Sequence, residues 1–221
     1  MDAFIKYESQ ITAAAQKLGL TLSNVQLQQL NDYVLLLLKW NRTYNLTALR
    51  APEQVLIHHI FDSLAIVPPL LKHLDTNNSG LPGRIVDVGS GGGLPGIVLA
   101  ICFPAWQIYC VDAVEKKAAF VRQARGALKL QNLHACHGRI EQLENFNADI
   151  IVSRAFASLQ DFVELSSKHL KPGGTFVAMK GIIPEKEIDD LTLHTGWKVW
   201  HIETLEVPDL NAQRCLLWIR S

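Results

Sequence analysis

The feature that most constrains the fold is an alternation of short apolar runs with helical patterns, which begins after Gly83. The runs predicted as strands are residues 84–88, 107–112, 133–137, 149–153 and 175–180, and the helices predicted between them are residues 94 onward, 114–130 and 159–170. Such alternation is typical of an α/β fold, a mostly parallel sheet with helices on both faces. Two further strand-like runs, 197–207 and 215–220, have only a loop between them, so we expect an antiparallel pair at the sheet edge.

Residues 1–72 have apolar residues at helical spacing instead of short apolar runs, and they are predicted to form a helical N-terminal cap. Ser23 and Gln26 form a capping-box pattern, followed by apolar residues at helical spacing, Leu27, Leu30, Val34, Leu37 and Leu38. A second amphipathic stretch is expected to stop at Pro68-Pro69, because proline cannot continue a helix. Residues 73–83 are rich in turn formers and are predicted to be a linker to a second domain over residues 84–221.

Composition narrows the class of protein. Of the 221 residues 48% are apolar and 19% are charged, which is typical of a globular chain. No apolar run approaches the roughly 18 residues of a membrane span, and the first residues lack a secretory signal, so we expect a cytoplasmic protein without a membrane partner. The four cysteines are scattered, which predicts neither a disulfide framework nor a metal site. The 21 basic and 21 acidic residues cancel, so a nucleic-acid partner would need a local basic face.

Residues 84–96, RIVDVGSGGGLPG, join the first predicted strand to a helix through a glycine loop. Two registers fit: Gly91-x-Gly93-x-x-Gly96 matches a dinucleotide-binding fingerprint, and Asp87-x-Gly89-x-Gly91-x-Gly93 matches the loop of S-adenosylmethionine (SAM) enzymes. The carboxylate of Asp87 favours the second register, because it would repel a pyrophosphate and attract the cationic groups of SAM. The alternative is that Asp87 only caps the loop amides. Asp112 ends the second strand, where a carboxylate can accept hydrogen bonds from a ribose diol.

Five segments together resemble one family, the bacterial small-subunit ribosomal RNA guanine-N7 methyltransferases, also called the glucose-inhibited division protein B family. They are residues 39–47 (KWNRTYNLT), His59-x-x-Asp62-Ser63, residues 87–96 (DVGSGGGLPG), residues 153–157 (SRAFA) and residues 179–181 (MKG). The resemblance runs from about residue 20 to the C-terminus. It implies a class I, Rossmann-like SAM-dependent methyltransferase fold with a helical cap.

The same resemblance implies that SAM is the cofactor and that the substrate is the N7 atom of a guanine in 16S rRNA. The SAM contacts that it carries over are Gly89, Leu94, Ile140, Glu141 and Arg154, beside Asp87, Gly91 and Asp112 from the loop pattern. Guanine N7 carries no proton, so no general base and no metal are predicted, and alignment can supply the catalysis. Arg154 and Lys180, both at strand ends, are predicted to orient the base or bind the cofactor, unless Lys180 only pairs locally.

The substrate face is predicted from clustered charge. The helix that starts near residue 114 carries Lys116, Lys117, Arg122, Arg125 and Lys129, and the cap carries Lys39, Arg42 and Arg50. These cations either decorate a solvated surface or form a discontinuous phosphate-binding face for an assembled or partly assembled small ribosomal subunit. Trp40 and Tyr44, four residues apart on one helical face, are predicted to lie in the core or to pack the cap against the second domain, rather than to be platforms on which bases stack. Two other functions stay open: methylation of a small molecule or protein, and nucleotide binding without catalysis.

Overall fold

The N-terminal region is helical, as predicted, and local signals fix its helices. In the computed structural model, which describes residues 7–77, 82–154, 156 and 158–221, its segments are α1 (Glu8–Lys17), α2 (Asn24–Tyr44), α3 (Pro52–Val55), a π-helical segment (Leu56–Phe61), α4 (Asp62–Leu64) and α5 (Val67–Asn77). The capping box at the start of α2 is confirmed: the Gln26 N–H donates to Ser23 Oγ at 3.3 Å, and the Ser23 N–H donates to Gln26 Oε1 at 2.9 Å. These two bonds satisfy amides that have no partner inside the helix.

Within the described residues the second half forms a seven-stranded sheet in the order β3-β2-β1-β4-β5-β7-β6. The strands are β1 (Arg84–Val88), β2 (Gln107–Asp112), β3 (Leu133–His137), β4 (Ala148–Ser153), β5 (Leu170–Lys180), β6 (Lys198–Thr204) and β7 (Cys215–Arg220). The first five are parallel, whereas β7 is antiparallel to both β5 and β6. The predicted α/β class, with an antiparallel pair at the edge, is confirmed.

The chain leaves β1 toward β2 on one side and returns to β4 on the other, so the strand order reverses between β1 and β4. Ligands of open parallel sheets bind outside the carboxyl ends of the strands at such a reversal. The connecting helices are α6 (Gly96–Cys102), α7 (Glu115–Ala127), α8 (Leu159–Ser166) and α9 (Glu185–Thr195), of which α9 has no counterpart in the sequence prediction.

The cap and the sheet share one apolar core. Leu37 and Ile60 of the cap belong to the same buried cluster as Ile97 and Ile108, while Phe162 and Phe176 centre a second cluster on the other face of the sheet. The cap is also joined to the glycine loop by a hydrogen bond of 2.6 Å from Tyr33 Oη to the Gly92 carbonyl. The division into a cap and a methyltransferase domain therefore stays a prediction, because the two regions bury their apolar surface together.

Two prolines do not end the cap where the sequence suggested. Pro68 and Pro69 lie in the first turn of α5, where a missing N–H costs no intrahelical hydrogen bond, and the helix continues to Asn77. Residues 73–77, predicted as the start of the linker, are therefore helical, and residues 78–81 lie outside the described residues. Helix α5 therefore extends five residues past the predicted end of the cap at residue 72, and the division into domains stays a prediction.

The bounds of helices α7 and α8 and of strand β5 also differ from the prediction. Helix α7 spans Glu115–Ala127 rather than residues 114–130, and Val114, which precedes it, is 41% exposed. Helix α8 ends at Ser166 and a 3-10 turn leads into β5, which begins at Leu170 instead of Thr175. The pairing of β5 with β4 is irregular between Leu170 and Thr175, which shows how a strand can contain the Pro-Gly-Gly sequence.

One helical stretch, Pro52–Leu74, is long and apolar enough by composition to cross a membrane. In the protein 72% of its most apolar window is buried. Its residues Leu56, Ile60 and Leu64 belong to the shared core, so this stretch packs as a core helix.

Candidate functional site

A cavity of about 220 Å³ opens at the carboxyl ends of β1 and β2. Four residues predicted to bind the cofactor line it, namely Gly89, Asp112, Ile140 and Glu141. Val88, Val111, Ala113, Gly138, Arg139, Phe156 and Leu165 complete the lining. The volume is below the roughly 300–1,000 Å³ of pockets that enclose a whole ligand, so the cavity suits one part of a larger molecule.

The glycine loop has a backbone conformation that glycine adopts readily and other residues do not. Gly89, Gly91 and Gly93 have φ angles of 73°, 59° and 85°, a region that L side chains rarely adopt. The Gly89 and Ser90 amides donate to the Val111 carbonyl at 2.9 and 3.1 Å, which ties the loop to the end of β2. The loop is thus held in a fixed shape along the cavity without side chains that would keep a ligand away from its backbone.

Asp112 both organises this loop and borders the cavity. Its Oδ2 accepts a hydrogen bond from the Gly91 amide at 2.9 Å, and its Oδ1 accepts one from the Val114 amide at 2.9 Å. Lys117 Nζ lies 3.6 Å from the same carboxylate, whose side chain is only 7% exposed. Hydrogen bonds from a ribose diol to Asp112 remain a prediction, which this position at the cavity edge supports.

Asp87 lies behind the loop, fully buried, and makes the capping contact that the alternative interpretation described. Its Oδ2 accepts a hydrogen bond of 2.7 Å from the amide of Gly96, the first residue of α6. Burial raises the pKa of Asp87 to about 7, and the bond from Gly96 acts in the opposite direction. A Cβ at Gly96 would lie 2.3 Å from Cys110 Sγ and 2.8 Å from Asp87 Oδ2, so glycine is required for this contact. Direct contact of Asp87 with SAM stays a prediction.

Leu94 and Arg154 do not line this cavity within the described part of the chain. Leu94 is 4% exposed and belongs to the shared core. Arg154 donates through Nη1 to the His58 carbonyl at 3.1 Å and to Asp62 Oδ2 at 3.2 Å, while Arg214 Nε donates to Asp62 Oδ1 at 2.7 Å. The buried carboxylate of Asp62 therefore fixes two arginines and connects the cap to the ends of β4 and β7.

Lys180, the second predicted orienting residue, makes the local pair that was its alternative role. Its Nζ lies 2.9 Å from Glu187 Oε2 and donates to the Phe156 carbonyl at 3.3 Å. The Leu159 amide donates to the same Glu187 oxygen at 2.9 Å. These bonds hold the segment that places Phe156 on the cavity wall, and a direct role in orienting the base stays a prediction.

His59 is a half-buried, neutral residue held by two hydrogen bonds. Burial lowers its pKa to about 4, and the nearby Arg154 guanidinium acts in the same direction. Its Nδ1 donates to the His58 carbonyl at 3.0 Å, which leaves Nε2 to accept from the Thr47 hydroxyl at 2.7 Å. The bond ties the turn that follows α2 to the π-helical segment.

Among residues 7–77, 82–154, 156 and 158–221, no group of three or more histidine, cysteine, aspartate or glutamate side chains is placed to hold a metal ion. The four cysteines are free thiols, of which Cys110 and Cys215 are buried and Cys102 and Cys136 are half-buried.

The cavity lining contains residues that the sequence analysis did not single out, notably Phe156 and Leu165. Leu165 belongs to α8, whose apolar pattern indicated a core helix, and Phe156 falls in the segment after β4. The position of residues 153–157 after the fourth strand was a signal for Phe156, because loops at the carboxyl ends of parallel strands meet at one edge.

Asp112→Ala is expected to weaken SAM binding by more than tenfold. The substitution removes the acceptor of the Gly91 amide and the predicted acceptor of the ribose hydroxyls, and each charge-assisted bond contributes about 1.5–3 kcal/mol. Calorimetric titration with SAM measures the effect, and Asp149→Ala, which removes a carboxylate paired with Lys171 at the other end of the sheet, is the control. Equal affinities for the wild type and Asp112→Ala would contradict the predicted ribose site.

Solved structures share this architecture at low sequence identity. A SAM-dependent methyltransferase from Aquifex aeolicus aligns with a TM-score of 0.56 and 18% identity, covering 79% of this chain and 96% of that chain. A ribosomal protein L11 methylase from Lactobacillus delbrueckii subsp. bulgaricus aligns with a TM-score of 0.53 and 13% identity, covering 72% and 76%. The fold, with the glycine loop at the reversal of strand order, is that of the class I SAM-dependent methyltransferases.

Sequence relatives narrow the class to one family. A sequence model of the family rRNA small subunit methyltransferase G matches residues 26–217. The ribosomal RNA small subunit methyltransferase G of Bordetella avium is 54% identical over 220 residues, and the alignment covers 100% of this chain and 96% of the relative. The protein of the same name from Acidovorax ebreus is 49% identical, and the alignment covers 96% of this chain and 95% of that relative. The chain belongs to the rRNA small subunit methyltransferase G family, whose members are SAM-dependent enzymes.

Proposed function

We propose that the protein transfers a methyl group from SAM to N7 of a guanine in the 16S rRNA of the small ribosomal subunit. The observation that carries this proposal is the cavity at the glycine loop, which Asp112 borders in a chain that matches the family model over residues 26–217. The residues fit SAM: Gly89 brings bare backbone to the cavity, Asp112 offers a carboxylate, and Val111 and Ile140 offer apolar surface for adenine.

Methyl transfer to guanine N7 does not need a general base. SAM, when bound, supplies an electrophilic methyl group on a sulfonium. Guanine N7 presents a lone pair and no proton, so the protein need not remove a proton from its substrate. Its contribution is to hold the two reactants in line and to exclude water. Three polar side chains near this site are held by other protein groups: the neutral His59, Arg154 and Lys180. Side chains held in this way can keep the reactants in position, and they are not needed to transfer a proton.

The RNA-binding face that we propose combines cations of the cap and of α7. Lys39, Arg42 and Arg50 line one cavity of about 650 Å³ in the cap. Lys116 is exposed on the first turn of α7, next to the cofactor cavity. Phosphates bound by both groups would position the rRNA without specifying its sequence, so the shape of an assembled subunit would have to supply specificity.

Two basic side chains of α7 are already paired with carboxylates of the protein. Lys117 Nζ lies 3.6 Å from Asp112, and Arg122 forms an ion pair with Glu115. Reversing the charge of Lys117 would place two carboxylates side by side at the cofactor site. The RNA face is therefore tested through Lys116 and Arg125 of α7 and Arg42 of the cap, which are all exposed.

The triple variant Lys116→Glu, Arg125→Glu and Arg42→Glu is expected to lower methyl transfer to small ribosomal subunits by about tenfold or more at low salt, because phosphate contacts dominate affinity for RNA. Its affinity for SAM should stay within about twofold of the wild type. The measurement is transfer of labelled methyl from SAM to assembled subunits and to a naked RNA hairpin bearing the same guanine, with mass spectrometry to locate the product. Lys186→Glu with Lys198→Glu, two exposed cations elsewhere, is the control.

Assembled subunits are expected to be much better substrates than the hairpin. Equal rates on both, or no loss in the triple variant, would contradict the composite RNA face. Methylation of a protein or small molecule in place of guanine would contradict the proposed function itself.

A further inference from the structure

A series of aromatic rings leads from the shared core to the surface through the last turns of α2. Tyr33 and Phe120 are fully buried, with ring centroids 6.4 Å apart. Trp40 is half-buried and meets the edge of Phe120 at 5.5 Å, and Tyr44 packs on Trp40 at 4.9 Å with the ring planes 34° apart. Tyr44 itself is 44% exposed. The packing role predicted for both residues therefore holds for Trp40, which joins the cap to α7, whereas Tyr44 presents much of its surface to solvent.

The backbone around Tyr44 is fixed. Helix α2 ends there because Asn45 adopts a left-handed φ of 49°, and the Asn45 side chain accepts a hydrogen bond from Arg50 at 3.0 Å. The amide of Asn41, which is 4% exposed, donates to the Leu49 carbonyl at 2.8 Å, and its oxygen accepts from the Thr47 amide at 2.9 Å. Tyr44 is thus an ordered surface ring, and an ordered ring loses little entropy when it binds a flat partner.

This ring lies on the side of the molecule that carries the cofactor cavity. Helix α2 packs against the glycine loop through the bond from Tyr33 to Gly92, and it runs antiparallel to α7, since Gln29 bonds the Leu128 carbonyl and Trp40 meets Phe120. The C-terminal end of α2 therefore points toward the same end of the fold as the first turn of α7, with Lys116 and Lys117.

The last turns of α2 also carry positive charge. From Tyr33 to its end, α2 contains Lys39 and Arg42 and no acidic residue. Lys39 and Arg42 share the cap cavity with Arg50, which lies five residues after Asn45. Tyr44 lies on the other face of α2, beside Trp40, at about 140–160° around the helix from Lys39 and Arg42. That face turns toward α7, whose first turn carries the exposed Lys116. An exposed aromatic ring with cations on both sides of its helix matches a nucleotide, whose base stacks and whose phosphate is negative.

We propose that Tyr44 is a stacking platform for an unpaired rRNA base near the target guanine. The proposal rests on the proposed function and adds a residue that recognises the substrate. A guanine can be methylated only where the enzyme reaches it, and proteins bind loop RNA by stacking its unstacked bases on aromatic side chains. Among the described phenylalanine, tyrosine and tryptophan rings the other exposed one is Trp200, which is 41% exposed at the far edge of the sheet and carries the Arg220 guanidinium 5.1 Å from its centroid.

The test compares Tyr44→Ala, Tyr44→Phe and Trp200→Ala by steady-state methyl transfer to small ribosomal subunits. Tyr44→Ala is expected to raise KM for the subunit by roughly tenfold or more, as is typical when a stacking ring is lost. Tyr44→Phe should stay within about twofold of the wild type, because stacking needs the ring and not the hydroxyl. Trp200→Ala should leave KM unchanged. Tyr44→Ala should keep the SAM affinity of the wild type and a cooperative thermal transition, with a small fall in melting temperature because the ring no longer packs on Trp40.

The results that would overturn the proposal are the following. An unchanged KM in Tyr44→Ala would overturn the proposal, and so would an equal rise in Tyr44→Phe or in Trp200→Ala. To separate an RNA base from a ribosomal protein as the partner, 5-iodouridine is placed in the rRNA loop and cross-linked by light. A cross-link from this nucleotide to Tyr44 supports the proposal, and cross-links from it only to other residues of the enzyme or to ribosomal proteins overturn it. Failure of the proposed function is distinct, because the wild type would then transfer no methyl group to guanine.

Discussion

Gly91→Ala is expected to abolish measurable SAM binding while the protein keeps a cooperative thermal transition. Gly91 has a φ of 59°, and a Cβ there would have its nearest neighbour, the Gly89 carbonyl oxygen, at 4.0 Å. The protein therefore has room for the methyl group, and the cost to folding is the left-handed backbone, about 1–2 kcal/mol. The cost to binding is larger, because Cβ would stand in the loop that SAM must approach and would strain the amide bonded to Asp112.

A matched variant, Gly19→Ala, separates the cost to folding stability from the cost to SAM binding. Gly19 has a φ of 70°, and a Cβ there would meet no atom within 4 Å, but it lies in the turn after α1. Gly19→Ala should therefore lose a similar amount of stability, seen as a fall in melting temperature of roughly 2–8 °C, and keep full SAM affinity. Calorimetric titration and thermal melts of both variants measure the result. SAM binding by Gly91→Ala at wild-type affinity would remove the glycine loop from the cofactor site.

Replacing Asp87 with asparagine is expected to change how stability depends on pH. Burial raises the pKa of Asp87 to about 7, so between about pH 4 and 7 the folded protein holds a proton there that the unfolded chain has released. This group therefore stabilises the fold at low pH, and its contribution is lost as the pH rises toward 7. Asp87→Asn keeps an acceptor for the Gly96 amide and removes the proton. Relative to the wild type, its free energy of unfolding should rise with pH by about 1.4 kcal/mol per unit across this window.

The contribution of His59 to stability changes with pH in the opposite direction, over nearly the same pH range. Its pKa is lowered to about 4, so between about pH 4 and 6.5 the unfolded chain binds a proton that the folded protein does not. Its contribution is present above pH 6.5 and is lost as the pH falls, which offsets Asp87 in the wild type. His59→Gln should therefore become less stable with rising pH relative to the wild type, by a similar slope.

Urea unfolding at several pH values between 4.5 and 8 measures both slopes. The readout is the difference between each variant and the wild type, because burial also lowers the pKa of His73, His134 and His169. Stability curves of Asp87→Asn and wild type that run parallel across the window would show that Asp87 is ionised throughout.

The sequence determined the features that depend on neighbours along the chain. The alternation of apolar runs predicted the order of strands and helices, because side-chain periodicity is local. The capping box at Ser23 and the positive φ of the loop glycines were predictable for the same reason, since each concerns one turn of backbone. The family pattern also identified the residues at the strand ends, although it could not show which atoms they contact.

The tertiary structure alone decided where the polar side chains point. Asp87 is directed to the Gly96 amide because that glycine has no Cβ to fill the space between β1, β2 and α6. Arg154 bonds Asp62, 92 residues earlier, and Lys180 bonds Glu187 of a helix that the sequence did not reveal. Pro68 and Pro69 begin a helix rather than end one, since the core extends to cover their turn. A buried ion needs a partner, and the partner that folding brings near is set by the packing of distant segments, which no local pattern encodes.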